Sequence, residues 1–369
     1  MSAGASSGEH DSVSGALHGE IARAIASAGG WLPFDRYMEL ALYAPGLGYY
    51  ARRTPFGRWP ESGSDFVTAP ELTPLFGRAL SRQLQQALVA SDTDTVLEFG
   101  AGSGALAEVL LDALPQHLQH YQIVELSATL REQQAQRLAR FGGRVQWLQH
   151  TPAALDAVLL ANEVLDAMPV KLLAFDGQCW HERGVVLDAG GGFDWADRAS
   201  ALRPPIDAAW AAGTVTELHA QAQAFTASAA QWLRRGVAFF IDYGFPAHEY
   251  YHPQRVGGTL MCHRAHTADA DPLADVGLKD ITAHVDFTAI ALAGQDAGLQ
   301  VLGYTSQARF LLNCGLLELM HEAPPRERAS AHALIAEHEM GELFKVIGFA
   351  KGCAFDALGF EAGDRSHRL

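Results

Sequence analysis

The sequence predicts an α/β fold with a mostly parallel sheet and helices on both faces. From residue 95 onward, strand-like runs alternate with helical patterns; the runs include "TVLEF" (95–99), "YQIVEL" (121–126) and "DAVLLAN" (156–162). Such alternation is typical of βαβ units, and runs without polar alternation suit strands covered on both faces. The glycine-rich "GAGSG" (100–104) follows the first run and predicts a tight strand-to-helix turn.

Three segments make up the predicted organisation. Residues 1–12 are rich in Ser and Gly and predict a disordered tail. Residues 13–90 predict a helical arm and lid, with helices at "FDRYMELALY" and from "APELTPLFG" onward, separated by a loop rich in Gly and Pro. Residues 91–369 predict the main domain, with inserts at about 170–200 and 246–283.

The first insert has a different sequence pattern from the alternating strands and helices of the main domain. It contains "VKLLAF", "CWHERGVVL" and "FDWAD", separated by "DGQ" and "DAGGG", which predicts an antiparallel meander. The segment "TVTELHAQAQAFTASAAQWLRRG" that follows it predicts one long helix, and "VAFFIDYG" predicts a further buried strand.

Composition excludes several classes of partner. The 369 residues include 42 acidic and 27 basic side chains, a net charge of −15, which disfavours duplex nucleic acid and anionic membranes. We expect no membrane insertion, because no apolar run reaches the ~18 residues that a span needs. The first twenty residues contain no Lys or Arg, so we expect neither a signal peptide nor a presequence, and a bacterial cytoplasmic location. Cys and His spacing predicts no metal site, and the oligomeric state stays open.

The glycine turn carries the best signal for a cofactor. Gly100, Gly102 and Gly104 lie between a strand and a helix, where backbone N–H groups can meet a ligand. The spacing to Ala105 is also compatible with a dinucleotide fingerprint. Glu98, however, would repel a pyrophosphate, whereas it can accept a ligand ammonium. This pattern favours S-adenosylmethionine over a nicotinamide cofactor or a turn without ligand.

The end of the next strand supports the same cofactor. Glu125 closes "YQIVEL", 21 residues after Gly104. In a parallel sheet this position lies at the same edge as the glycine turn, and its carboxylate can accept both hydroxyls of a ribose.

Eight segments in order resemble one family: "GYYARRTPFGR", "SDFVTAPELTPLFG", "LEFGAGSGAL", "ANEVLDAMPV", "IDYG", "LKDITAHVDFTAI", "QARFLLNCG" and "MGELFKVIGFAKG". They are similar to the MidA-like family of S-adenosylmethionine-dependent methyltransferases, from about residue 30 to 352. Mitochondrial members of that family assist respiratory complex I assembly by methylating a protein arginine. The resemblance implies a class I methyltransferase fold with family-specific inserts. It does not identify the target protein; the expected partner is a protein substrate with an arginine-containing segment. The family's usual glycine-proline-glycine reads Gly100-Ala101-Gly102 here.

The stretch "ANEVLDAMP" places polar groups after a buried strand. Asn162, Glu163 and Asp166 should face the same crevice as the glycine turn, because ligands bind beyond the carboxyl ends of parallel strands. Two carboxylates can grip a guanidinium and leave its remaining nitrogen richer in electrons, while Asn162 steers that nitrogen by its carbonyl. The alternative is structural: Asp166 caps the turn and Glu163 binds backbone amides.

Further candidates come from two other segments. The resemblance implies a lid over the cofactor at "SDFVTAPE", with Asp65, Thr68, Pro70 and Glu71 near it; Glu71 also fits the first turn of a helix.

In "DITAHVDF", His284 and Asp280 could take a proton from the acceptor, although His284 also fits a core histidine. Asp286 is an attractive helix N-cap. Asp242 and Tyr243 of "IDYG" border the same strand edge.

Three classes of function therefore compete. A protein-arginine methyltransferase leads, ahead of a methyltransferase for a small molecule or another side chain. A cofactor-binding assembly factor without turnover comes third, because it would not need two acidic groups at the strand end. The long inserts favour a macromolecular substrate.

Overall fold

The structure is a computed structural model that describes residues 5–52, 67–264 and 267–369, with backbone alone for residues 5–13 and 52. The helices are α1 (Ala5–Ser27), α2 (Phe34–Tyr43), α3 (Tyr49–Arg52), α4 (Ala69–Leu72), α5 (Pro74–Ser91), α6 (Ala105–Ala113), α7 (Ala128–Leu138), α8 (Ala220–Trp232), α9 (Ala247–Tyr250), α10 (Phe287–Asp296), α11 (Gln307–Asn313), α12 (Leu316–Glu322) and α13 (Pro325–Ile335). None of the helices described is long and apolar enough to cross a bilayer.

The strands are β1 (Leu32–Pro33), β2 (Thr95–Phe99), β3 (His120–Val124), β4 (Val145–Leu148), β5 (Leu155–Asn162), β6 (Lys171–Phe175), β7 (Trp180–Leu187), β8 (Phe193–Ala199), β9 (Val215–Leu218), β10 (Leu233–Phe245), β11 (Met261–Arg264), β12 (Thr267–Asp269), β13 (Asp280–Thr282), β14 (Val285–Asp286), β15 (Gln300–Ser306) and β16 (Phe344–Lys351).

Contacts divide the chain into two compact units. The first comprises Met1–Pro55, Ala167–Ala222 and Ala247–His284, and the second comprises Phe56–Asp166, Gln223–Pro246 and Val285–Leu369. This division differs from the predicted arm at 13–90 and main domain at 91–369. Helix α5 belongs to the second unit because its apolar face is buried in the core of that unit, and most of both predicted inserts belongs to the first.

The second unit contains a large sheet in the order β15-β16-β10-β5-β2-β3-β4, with β14 beside β10. Strands β4, β3, β2, β5 and β10 are parallel neighbours, and β16 runs antiparallel between β10 and β15. The chain moves from β2 to β3 and β4 on one side, then crosses to β5 and β10 on the other. The point where strand order reverses, between β2 and β5, is where open α/β sheets bind their ligands.

Both faces of this sheet are covered, as the apolar runs predict. Along β10, Phe239 packs on Phe310 of α11 with ring centroids 6.1 Å apart. The next residue, Phe240, packs on Phe225 of α8 at 5.7 Å. Successive side chains of a strand point to opposite faces, so a strand between two helical layers is apolar at every position.

The first unit contains the antiparallel meander β6-β7-β8, confirming the prediction for that insert. Strand β1 pairs with β7 and β9 with β6, giving the order β1-β7-β6-β9. The predicted insert at about 246–283 contains a small sheet, β12-β11-β13. Helices α1 and α2 cover the unit's core through Leu17, Ile21 and Phe34, among others.

The predicted long helix over 214–236 is wrong at its start. Residues Val215–Leu218 form β9, which pairs with β6 in the register Lys171↔Leu218 to Ala174↔Val215. Helix α8 begins only at Ala220. The β-branched residues Val215 and Thr216 favour the strand, and an unpaired edge of the meander offers them backbone partners.

The helix predicted from Ala69 is interrupted at Thr73, which is extended (φ −162°, ψ 142°) and separates α4 from α5. The residue before a proline is disfavoured in helical conformation, and Pro74 follows. The Thr73 hydroxyl then accepts a hydrogen bond from Leu75 N at 3.3 Å and caps α5.

At the N-terminus, α1 begins at Ala5, so most of the predicted tail 1–12 is helical. Burial of Leu17 and Ile21 holds one part of α1 in helical form. Each residue added to that helix then contributes one more backbone hydrogen bond.

Gly236 of β10 lies where the neighbouring strand leaves no room for a side chain. It has φ +155°, and an added Cβ would lie 2.0 Å from the carbonyl oxygen of Ala157. We expect Gly236→Ala to reduce the free energy of unfolding by about 3 kcal/mol or more, measured by urea titration. The control is Gly143→Ala, where a Cβ has nothing within 4 Å; it should change stability by less than about 0.5 kcal/mol. Equal effects in the two variants would contradict the prediction.

Candidate active site

The site lies at the carboxyl ends of β2 and β5 in the second unit. The two strands pair in parallel, with Phe99 opposite Ala161, so the turn after β2 and the loop after β5 begin side by side. On the other side of β5, Ile241 of β10 lies opposite Asn162. The sheet thereby aligns the ends of β2 and β5 with Ile241 of β10.

The glycine turn after β2 follows a left-handed path. Gly100, Gly102 and Gly104 have φ of 62°, 52° and 81°, a region that residues with a side chain rarely adopt. Gly104 is the N-cap of α6. A Cβ on Gly100 would lie 3.1 Å from Cγ2 of Val164, so the turn and the loop after β5 pack closely.

A cleft of about 380 Å³ opens at this edge. Its walls are Thr68, Pro70, Glu71, Glu98, Gly100, Ala101, Gly102, Ser103, Ala105, Leu106, Asn162 and Glu163. The cleft thus brings together most of the predicted cofactor residues and two of the predicted catalytic ones. Gly104, Glu125 and Asp166 are not in its walls, and Asp65, with the neighbouring residues 64 and 66 of the predicted lid, lies outside the described residues.

Glu98 supplies a buried acid to the cleft. It is 2% exposed, and the Tyr121 hydroxyl donates to its Oε2 at 2.8 Å. Burial raises the pKa of Glu98 to about 7; the Tyr121 bond opposes this rise, and the charge of Glu125 adds to it. A ligand cation would stabilise the ionised form that burial disfavours.

Glu125 directly follows β3 and connects to the glycine turn through Gln134. The Glu125 Oε1 accepts from Ser127 N at 2.9 Å, and its Oε2 from Gln134 Nε2 at 3.1 Å. The same Nε2 donates to Gly102 O at 2.8 Å. Burial is the main cause of a raised pKa for Glu125.

Two residues beside Glu125 were not predicted from the sequence to belong to the site. Gln134 is fully buried within α7, and a polar residue on the buried side of a helix was the available signal. Leu126 is 76% exposed next to Glu125, a placement that only the structure reveals.

The last residue of β5 and the loop that follows it, residues 162–166, are here called the acidic loop. Glu163 has φ +55°, uncommon for a residue with a side chain, and its N–H donates to Ile241 O at 2.9 Å. Its Oε1 accepts from Asn162 Nδ2 at 3.1 Å and from Ala69 N at 3.4 Å. The Oδ1 of Asn162 is buried and has no hydrogen-bond partner among the described residues.

Burial raises the pKa of Glu163 to about 8, and Asp166 adds to the rise. Asp166 is 6% exposed and accepts a hydrogen bond from the Tyr243 hydroxyl at 2.5 Å. The Asp242 carboxylate caps the backbone turn. The predicted backbone contact of Glu163 is present as the hydrogen bond from Ala69 N.

Glu71 lies in the first turn of α4 and also contacts the glycine turn. It accepts a hydrogen bond from the Ser103 hydroxyl and lies 3.7 Å from the Arg137 guanidinium. The sequence did not single out Ser103 or Arg137, because their partner is more than 30 residues away.

The remaining residues that the sequence predicted for the site belong to different units of the chain. Asp286 caps α10, accepting from Ala289 N at 3.2 Å, which confirms the N-cap interpretation. His284 and Asp280 belong to the first unit, where His284 N–H donates to Thr259 Oγ1 at 3.1 Å and Asp280 accepts from the Tyr50 hydroxyl at 2.9 Å. Their role as proton acceptors stays a prediction.

Residues 76–305 match the family model of S-adenosyl-L-methionine-dependent methyltransferases. The chain belongs to this family. The predicted family resemblance, class I methyltransferase fold and cofactor S-adenosyl-L-methionine are thereby confirmed, and the enzyme class is methyltransferase.

Solved structures and curated relatives agree with this assignment. A Burkholderia thailandensis protein described as a methyl transferase, and bound to S-adenosyl-homocysteine, is 50% identical with a TM-score of 0.93, and the alignment covers 98% of both chains. "Protein arginine methyltransferase NDUFAF7 homolog, mitochondrial" of Drosophila melanogaster is 27% identical over 393 residues, covering 91% of this chain and 86% of that protein. The human protein of that name is 27% identical, covering 84% and 77%.

The raised pKa of Glu163 makes the stability of this methyltransferase depend on pH. Folded Glu163 keeps its proton between its ordinary pKa of 4.5 and about 8, whereas the unfolded chain releases it. The folded state then binds more protons, so stability decreases as pH rises through this window. Glu163→Gln removes the contribution, and its stability relative to wild type should therefore increase from about pH 5 to about pH 8 and then level.

Urea titrations across that range measure the difference. Glu132→Gln, at an exposed position of α7, is the matched control and should run parallel to wild type. A pH-independent difference between Glu163→Gln and wild type would contradict the assigned protonation.

Proposed function

We propose that this methyltransferase transfers methyl groups to an arginine side chain of a partner protein. The observation that carries the proposal is that Asn162 and Glu163 line the same cleft as the glycine turn and Glu98. A cofactor site and a cation-binding acid thus share one pocket. The names of the curated relatives, protein arginine methyltransferases at 27% identity, support the same substrate class.

The residues present fit the cofactor. Glu98 would accept hydrogen bonds from its ammonium group, and the burial that raises the Glu98 pKa makes a cationic partner favourable there. The N–H groups of the glycine turn would bind its carboxylate, and Glu125 would accept hydrogen bonds from its ribose hydroxyls. Thr68, Pro70 and Glu71 close the cleft from the side of α4. When bound, S-adenosyl-L-methionine supplies a methyl group that is electrophilic because it is attached to a sulfonium.

The acidic loop orients the acceptor. A guanidinium is a weak nucleophile because its lone pairs are delocalised, and the chain must hold it in line with the methyl group. Glu163 and Asp166 bind two of its N–H groups and localise its positive charge, and the buried Asn162 Oδ1 accepts a hydrogen bond from the reacting nitrogen. The product nitrogen then loses a proton, and the sequence predicts His284 or Asp280 as candidate bases for it. By analogy with the mitochondrial relatives, the partner is a subunit of a respiratory complex.

The first test concerns Glu98. At about pH 7 half of this carboxyl is protonated without ligand, and an ammonium partner drives the proton off. Calorimetry of S-adenosyl-homocysteine binding in two buffers of different ionisation enthalpy should therefore show proton release for wild type. Glu98→Gln should show less release and bind at least ~10-fold more weakly. The control Glu132→Gln should match wild type, and buffer-independent heats in wild type would argue against the contact.

The second test concerns the acceptor. Proteins from a strain that lacks the gene are incubated with the enzyme and cofactor carrying a tritiated methyl group, and the labelled amino acid is identified after hydrolysis. We expect methyl-arginine. Glu163→Gln and Asp166→Asn should transfer ~100-fold more slowly, because each loses a charge-assisted contact in a dry site, while both keep near wild-type affinity for S-adenosyl-homocysteine.

The acceptor test also uses two synthetic peptides, whose sequence comes from the labelled segment. The peptide with lysine in place of the arginine should not be methylated, since an ammonium lacks the planar fork. Wild-type rates in both variants, or equal labelling of the lysine peptide, would rule the proposal out. A labelled small molecule would establish the alternative substrate class.

A further inference from the structure

Asp242 lies within β10, one residue beyond the pair Ile241↔Asn162 that joins β10 to β5. Its side chain is completely buried and reaches the acidic loop on the neighbouring strand. Nothing in the proposed cofactor or acceptor contacts uses this carboxylate, so its position calls for an explanation of its own.

Both carboxylate oxygens of Asp242 accept hydrogen bonds from backbone N–H groups. One oxygen, Oδ2, accepts from the backbone N–H groups of Val164, Leu165 and Asp166 at 3.1, 2.9 and 3.2 Å. The other, Oδ1, accepts from Tyr243 N at 2.9 Å. Successive N–H groups that converge in a turn form a concave anion-binding nest. The backbone of the acidic loop is thus wrapped around the Asp242 carboxylate.

The nest begins directly after Glu163, whose backbone has an unfavourable conformation. Glu163 holds φ +55°, and such a conformation persists only where the surroundings over-determine it. Two groups of β10 do this: the Ile241 carbonyl accepts the Glu163 N–H, and Asp242 holds the next three N–H groups. The direction of the Glu163 side chain into the cleft follows from that backbone.

Tyr243, the next residue of β10, fixes the other acid. Its hydroxyl donates to Asp166 Oδ2 at 2.5 Å, and its ring packs edge-on against Phe344 with centroids 5.4 Å apart. The ring contact limits where the hydroxyl can lie. Two consecutive residues of one strand therefore hold the backbone and a side chain of the loop.

We infer that Asp242 and Tyr243 are positioning residues for the acceptor: Asp242 sets the backbone that aims Glu163, and Tyr243 sets the carboxylate of Asp166. This inference rests on the proposed function, because it treats the acidic loop as the acceptor site. Neither residue lines the cofactor cleft. Their loss should reduce transfer without loss of cofactor binding.

The experiment compares Asp242→Ala, Asp242→Asn and Tyr243→Phe with wild type in the full-length enzyme. Three quantities are measured: S-adenosyl-homocysteine affinity, amide hydrogen exchange at residues 164–166, and tritiated methyl transfer to proteins from the strain that lacks the gene. Ser306→Ala is the matched control, since it removes a buried cap of α11 far along the chain from the loop.

We expect Asp242→Ala to exchange residues 164–166 at least ~10-fold faster and to lower kcat ~100-fold, with the KM for cofactor within ~3-fold. Asp242→Asn keeps one accepting oxygen but turns an amide donor toward another donor, so it should lie between Ala and wild type. Tyr243→Phe, which keeps the ring packing, should lower kcat ~10-fold with little change in exchange. Ser306→Ala should match wild type in kcat.

Each failure has its own meaning. Transfer by Asp242→Ala and Tyr243→Phe within ~3-fold of wild type overturns the inference, as does a parallel loss of cofactor affinity, which would show a general structural role. If wild type labels a side chain other than arginine, the proposed substrate is wrong, and the variants still test positioning with that acceptor. If wild type transfers no methyl group, both fall. If Asp242→Ala does not fold, Asp242→Asn and Tyr243→Phe decide the outcome.

Discussion

Parallel hydrogen bonding among β2, β5 and β10 is the constraint on which the site depends. Because the strands are in register, with Phe99 opposite Ala161 and Asn162 opposite Ile241, β2 and β5 end side by side, at the level of Ile241 in β10. That alignment brings the glycine turn, the acidic loop and Asp242 to the same edge of the sheet. A slip of one residue in β5 would turn the alternating side chains over and move the acidic loop relative to the turn.

The same edge concentrates acids where burial disfavours their charge. Glu98 and Glu163 both have raised pKa values because they are removed from water, and Asp242 has its pKa raised by burial first and then by Asp166 and Glu163. A folded protein accepts such groups only when something offsets their cost. Backbone N–H groups do so for Asp242, whereas in the proposed function a ligand ammonium and an acceptor guanidinium do so for the other two.

The sequence predicted those parts of the fold and site that local pattern determines. Apolar runs located the strands of the main sheet, and the spacing of Gly100, Gly102 and Gly104 located the turn. It failed where a distant partner decides the structure. Val215–Leu218 became a strand because β6 lies beside it, and the nest around Asp242 joins residues 76 to 78 positions apart. A pattern within one segment contains no trace of such pairs.

One connection beside the glycine turn gives the protein an optical property. The indole N–H of Trp147 donates to Gln134 Oε1 at 2.8 Å, and the amide nitrogen of the same glutamine binds both Gly102 O and Glu125 Oε2. A shift of the glycine turn or of the Glu125 carboxylate would therefore move Gln134 and change its hydrogen bond with the indole of Trp147. Indole emission is sensitive to its hydrogen bonds, so Trp147 is a built-in fluorophore next to the glycine turn.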